Sequence, residues 1–238
     1  PGRAATFAPP TPQERKRWSA AFALLLTEAT EAGRAAPSEP VRTAFEALGF
    51  VVETLIVSQG DRVWGVFERP ERRRGAGAYL VRPGPDATGW MASGNRSAVQ
   101  RVVIMAPHPR ADRGTELMAQ RLFGLSRARA LIQSTIHRRT PAPDGTDADP
   151  AHRTDTYFQA ATEVLDARIR DQIFLQLHGF EVKRHGDLDP DTAVILSDGN
   201  PGGKSHPRYL AAAAALRARQ RSGVVALWGT DTKRLGGT

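Results

Sequence analysis

Residues 101–116 read RVVIMAPHPRADRGTE, and the fold turns on how this stretch is taken. Val102, Val103, Ile104 and Met105 form an uninterrupted apolar run, which suits a strand buried on both faces, and Pro107 then breaks it. His108 therefore sits just beyond a strand's carboxyl end, the edge at which open α/β sheets hold their ligands. Asp112 and Glu116 follow in the same loop. Imidazole nitrogen and carboxylate oxygen are donors that zinc accepts, and a His with an acid one turn later can close on one ion. A His beside a Pro after a strand is more often an ordinary turn residue than a ligand, and the stretch alone leaves both readings open.

Downstream, the pattern alternates between helix and strand. Residues 117–125 read as a helix, 130–135 as a strand, 155–168 as a helix, 173–177 as a strand, 194–196 as a short strand, 209–220 as an Ala-rich helix and 224–228 as a final strand. Such alternation predicts an α/β fold with a mostly parallel or mixed sheet covered by helices on both faces. Upstream, 1–10 is Pro- and Ala-rich without periodicity and is expected to be a loose arm. Thr11-Pro12-Gln13-Glu14 is a capping box opening a helix that should run to about Gly33, and 38–48 repeats the design with Gly49 as a stop. Residues 50–57 and 62–67 flank the turn signal Gln59-Gly60-Asp61 and read as a hairpin, with 78–81 as a third strand. The expectation is one domain over 1–238, comprising the arm, an N-terminal helical and hairpin subregion over 11–95, and a core sheet over 96–238.

Composition narrows the partners. The chain has 238 residues, 40% hydrophobic and 24% charged, enough for one large α/β domain. With no Cys, thiolate ligands are excluded and any metal must be held by His, Asp or Glu. No apolar run is long enough to span a bilayer. The net charge of +8 suits an anionic partner. Yet the Arg-rich loop 69–74, RPERRR, has no interleaved aromatics on which single-stranded bases could stack, and nucleic acid is not the expected partner. Pro1 is not an initiator Met, so a mature or trimmed form is expected, compatible with export and a removed signal; the compartment stays open.

The histidines carry the functional reading. His108, His137 and His178 each follow an expected strand, and in a parallel sheet all three share one edge. Placing His108 and His178 on neighbouring strands brings both imidazoles to one ion, with a carboxylate from Asp112 or Glu116 as third ligand and an open fourth position. That is a catalytic zinc arrangement, with Zn2+ as the implied cofactor.

The segments APHPRADRGTE and FLQLHGF resemble the zinc carboxypeptidase superfamily in its broad sense, which includes N-formylglutamate amidohydrolases and poly-gamma-glutamate hydrolases. The resemblance covers roughly 102–228. It implies a phosphorylase/hydrolase-like α/β fold and zinc-dependent hydrolysis of amide or peptide bonds, with small peptides or acylated amino acids as substrates. Leu177-His178-Gly179 matches the family's second metal element, while the spacing from His108 to its acid differs from the family patterns; Asp112 is the favoured ligand and Glu116 the alternative. DPAHRTD over 149–155 resembles the loop that holds a substrate carboxylate, which gives Arg153 that role. His152 and His137 could orient substrate or, alternatively, be structural. The family's catalytic Glu lies near the carboxyl terminus; here Glu116 or Asp231 would serve, or the base lies on a segment beyond Thr238, since LGGT reads as a loop that continues. The competing reading is a non-catalytic α/β protein that binds an anionic partner.

Overall fold

The computed structural model describes residues 7–31, 34–57, 61–71, 75–84, 100–169, 171–181, 183, 186–198, 207–219 and 223–227. They form an α/β architecture whose main sheet has six strands, mixed in direction. The chain divides into two compact units, Pro1–His178 and Gly179–Thr238. Among the described residues, strands β7 (Thr192–Leu196) and β8 (Val224–Leu227) pair in parallel with each other in a separate two-stranded sheet, and the helix α5 (Pro207–Arg219) packs against β8.

The first unit opens with α1 (Pro12–Thr30), capped as the sequence foretells: the Thr11 amide donates to Glu14 Oε2 at 2.9 Å and the Glu14 amide to Thr11 Oγ1 at 3.2 Å. α2 (Glu39–Glu46) starts at the Ser38 cap, and Gly49 ends that turn at φ 83°, a left-handed conformation that costs a residue without Cβ little. β1 (Phe50–Ile56) and β2 (Arg62–Glu68) pair antiparallel in the expected hairpin, and β3 (Ala78–Val81) adds the third strand. Gln59 and Gly60 of the turn, residues 72–74 of the loop 69–74, and residues 85–95 lie outside the described residues.

The second half of this unit builds the parallel part of the sheet. β4 (Gln100–Ala106) leads through α3 (Thr115–Leu125) to β5 (Ala128–Gln133), its parallel neighbour on one side. The chain then passes through α4 (Tyr157–Arg168) to β6 (Ile173–Gln176), the parallel neighbour of β4 on the other side. Strand order therefore reverses at β4. Alternate residues of β4 face opposite cores: Val103 and Met105 pack with α1, α2 and α4, while Ile104 and Ala106 pack with Ala119 and Phe123 of α3. Helices thus cover both faces, and a reversal of strand order of this kind is where open α/β sheets place their ligands, outside the carboxyl ends of the strands.

The larger core is aromatic. Trp18 is fully buried, stacks on Phe22 at 4.8 Å between ring centroids, and meets Tyr79, Tyr157 and Phe50 at 4.8, 5.6 and 6.2 Å. It joins α1 to the sheet and to the start of α4. One expectation is corrected at the amino terminus. Residues 1–6 lie outside the described chain, but Phe7 is only 4% exposed and Pro10 is buried, so the arm is not loose over its last residues. The Phe7 ring has found an apolar cluster of Ile136, Ala142 and Ala148. Because Trp18 spans three elements, Trp18→Ala is expected to cost about 3–5 kcal/mol in urea unfolding; a loss below about 1 kcal/mol would contradict this packing.

Candidate metal centre

The parallel register Met105↔Gln176 brings the ends of β4 and β6 side by side, and the Leu177 amide extends the ladder by donating to Met105 O at 2.9 Å. His178 is the next residue. After β4, the chain closes one helical turn: the Asp112 amide donates to His108 O at 2.8 Å, which stacks the two side chains at a spacing of one turn. The Thr115 hydroxyl caps the turn by donating to Asp112 O at 2.8 Å, and Gly114 takes φ 85° to start α3.

These constraints converge three side chains. His108, Asp112 and His178 each offer a ligand atom, all within 4.8 Å of one another. Asp112 Oδ2 lies 3.5 Å from His108 Nδ1 and 3.5 Å from His178 Nδ1. The other nitrogen of each ring is occupied. His108 Nε2 meets Asp149 Oδ1 at 2.6 Å, and His178 Nε2 meets Gln176 Oε1 at 3.0 Å. Both partners are acceptors, so each neutral ring carries its proton on Nε2 and turns the Nδ1 lone pair toward Asp112.

That geometry is unfavourable by itself. His108 is 1% exposed, and its Nδ1 and Asp112 Oδ2 are buried without a hydrogen-bond partner among the described residues. Leaving such groups unpaired costs about 1–3 kcal/mol each. A cation between them removes the conflict. Tetrahedral zinc with bonds of about 2.0–2.1 Å places its ligand atoms roughly 3.4 Å apart, close to the two separations of 3.5 Å found here. The donor set of two imidazoles and a carboxylate, with no thiolate, fits a catalytic rather than a closed structural site.

A second layer holds the first. Asp149 also accepts from the Ala151 amide at 3.0 Å and faces Arg138 Nε at 3.2 Å. Burial pushes its carboxyl up, but the bond to His108, the amide and Arg138 together hold it below the usual carboxylate range. Burial pushes the His178 imidazole down, and nearby His108 adds to that against the opposing pull of Asp112. The metal-competent neutral form is thereby favoured.

The remaining sequence candidates stand elsewhere. Glu116 is exposed on α3, where its Oε1 accepts from Gln120 at 3.4 Å, so the Asp112 alternative is the one that joins the histidines. Its position at the first turn of α3 turns it outward. His137 is exposed and accepts from the Arg139 amide at 3.2 Å, and His152 is exposed; neither joins the cluster. Asp231 lies outside the described residues.

Arg153 binds within its own loop. Nε and Nη2 bind Asp155 at 2.8 and 2.5 Å, Nη1 binds Thr146 at 2.6 Å and Asp144 at 3.3 Å, and Nη2 binds Asp144 at 3.0 Å. A guanidinium has five N–H donors, and all are spent on its own loop. Arg153 and Thr146 accordingly hold the Asp144 carboxyl well below its usual range. Sequence reasoning missed Asp149 and Gln176. Asp149 opens the DPAHRTD segment, and Gln176 stands two residues before His178, the position whose side chain returns to the same strand face.

Compared with known proteins, the chain matches no protein-family model, and no curated protein or solved structure is detectably similar to it.

The lowered His178 value makes stability depend on pH. It lies below the ordinary 6.5, so folding favours the neutral ring, and stability is lost as pH falls from the ordinary value through the folded one. In the zinc-free protein, NMR titration of the His178 ring should give a midpoint below 6.5; a midpoint above it would mean that Asp112 outweighs burial and His108.

Proposed function

We propose that this chain is a zinc-dependent hydrolase of amide or peptide bonds, with small peptides or acylated amino acids as the substrate class. The observation that carries the reading is the buried, unpartnered pair His108 Nδ1 and Asp112 Oδ2, joined by His178 Nδ1 at the carboxyl ends of β4 and β6. His108, Asp112 and His178 would hold the ion. When bound, zinc supplies Lewis acidity, which acidifies water and polarises a carbonyl.

The protein's own residues then have distinct tasks. Asp149 fixes the tautomer and plane of His108, and Gln176 does the same for His178. Against the upward push of burial, the bond to His108, the Ala151 amide and nearby Arg138 together favour charged Asp149, so that the carboxylate accepts the ring proton instead of donating one. The turn from His108 to Asp112 excludes water from the inner side of the site, since His108 is almost wholly buried. The resemblance of APHPRADRGTE and FLQLHGF to the zinc carboxypeptidase superfamily supports amide chemistry. For the competing anion-binding reading, Arg15, Arg42, Arg101 and Arg153 are each ion-paired within the chain, and Arg72, Arg73 and Arg74 of the basic loop lie outside the described residues.

Purified protein dialysed against zinc should take up one ion per chain and lose it on His178→Ala or Asp112→Asn. Asp149→Asn keeps all three ligands and should weaken zinc about 10–100-fold. Zinc-dependent release of amino acid from a panel of short peptides and N-acyl amino acids, abolished by a chelator, completes the test. Wild-type protein that takes up no zinc contradicts the reading, and zinc-loaded protein that hydrolyses nothing in the panel contradicts its hydrolytic part.

A further inference from the structure

The long loop from Ser134 to Thr156 carries both Arg138 and Asp149, yet it is short of apolar material of its own. It folds back through a bridge between Pro141 and Asp147, with the Ala148 amide donating to Thr140 O at 2.8 Å and the Ala142 amide to Thr146 O at 2.8 Å. Its small core contains Ile136, Ala142 and Ala148, and one residue from outside the loop, Phe7. That ring is the largest member of the cluster and is 4% exposed. Long loops without regular structure need such satellite clusters to hold one conformation against the entropy of ordering them.

Phe7 also touches the polar half of the loop. The Arg153 guanidinium lies 5.4 Å from the centroid of the Phe7 ring while its donors bind Asp144, Thr146 and Asp155. One aromatic residue therefore closes the apolar cluster and roofs the ion-pair network that joins the middle of the loop to its end. The path from there to the centre is short. The Arg153 and His152 amides both donate to Asp149 O, at 3.0 and 3.1 Å, and the Asp149 side chain holds His108.

We infer that Phe7, with the segment through Pro10, is a strap that sets the position of Asp149 and so fixes the His108 tautomer from a distance. Phe7 is a positioning residue; it touches no ligand atom of the candidate centre. The inference rests on the metal-centre reading for its consequence in zinc affinity, but not for its effect on His108 itself. Release of the strap would loosen the loop, let Asp149 leave His108 Nε2, and allow the ring proton to move to Nδ1, which cannot then ligate.

The test compares wild type, Phe7→Ala and Phe7→Leu. Amide hydrogen exchange over 137–152 and the imidazole 15N shifts of His108 are read on zinc-free protein, and zinc affinity is read by competition with a chromophoric chelator. Phe7→Ala should raise exchange in this loop about tenfold or more while β4 and β5 stay protected. It should also move the His108 shifts toward a mixture of tautomers and weaken zinc about tenfold, whereas Phe7→Leu, which keeps an apolar plug, restores most of each. Unchanged loop exchange, or raised exchange with an unchanged His108 tautomer, overturns the strap. If Phe7→Ala does not fold, Phe7→Val takes its place, and the same outcomes support or overturn the strap. Wild-type protein without zinc affinity refutes the metal-dependent function, and the two zinc-free readouts still decide the strap.

Discussion

Strand β4 pairs in parallel on both of its sides, and its neighbours are reached by connections over opposite faces of the sheet. That single constraint determines which side chains meet at the carboxyl edge of the sheet. Because β6 runs parallel to β4 in the register Met105↔Gln176, the residues just past their carboxyl ends lie side by side. His108 and His178 are those residues. The apolar run from Val102 to Met105 makes the arrangement possible, since a strand buried on both faces can hold a parallel partner on each edge while helices pack above and below.

Within the cluster, the governing balance is electrostatic. A buried carboxylate oxygen facing two imidazole lone pairs is repulsive unless something positive lies between them, and the protein holds both rings in that orientation: Asp149 and Gln176 each take the outer proton of a histidine. Burial adds to this by favouring neutral His178. A purely structural histidine cluster would gain by turning one ring or sharing one proton with Asp112. The cost of keeping His108 Nδ1 and Asp112 Oδ2 unpartnered is what a bound cation would offset.

Much of this was legible in the sequence, and the gaps have physical causes. Apolar runs and turn signals located the strands within a residue or two, and the capping box gave the start of α1 outright, because these are local features. The His108–His178 pairing followed from one further step, that strands joined by helices lie parallel. The fate of Arg153 was not legible: it depends on Asp144, Thr146 and Asp155 folding onto it, and a free and a spent guanidinium look alike in sequence. Likewise Phe7 sits in a stretch without periodicity, and its burial depends on a cluster contributed by Ile136, Ala142 and Ala148, far along the chain. The division into two units was hidden for the same reason: alternation of helix and strand says that β7 and β8 are parallel, not which sheet they join.

The most direct measurement is an anomalous diffraction experiment at the zinc edge on crystals of the full chain grown with zinc. One strong peak is expected, enclosed by His108 Nδ1, His178 Nδ1 and Asp112 Oδ2, with Asp149 still on His108 Nε2. A peak that involves Glu116 in place of Asp112, or no peak between the two histidines, would contradict this centre.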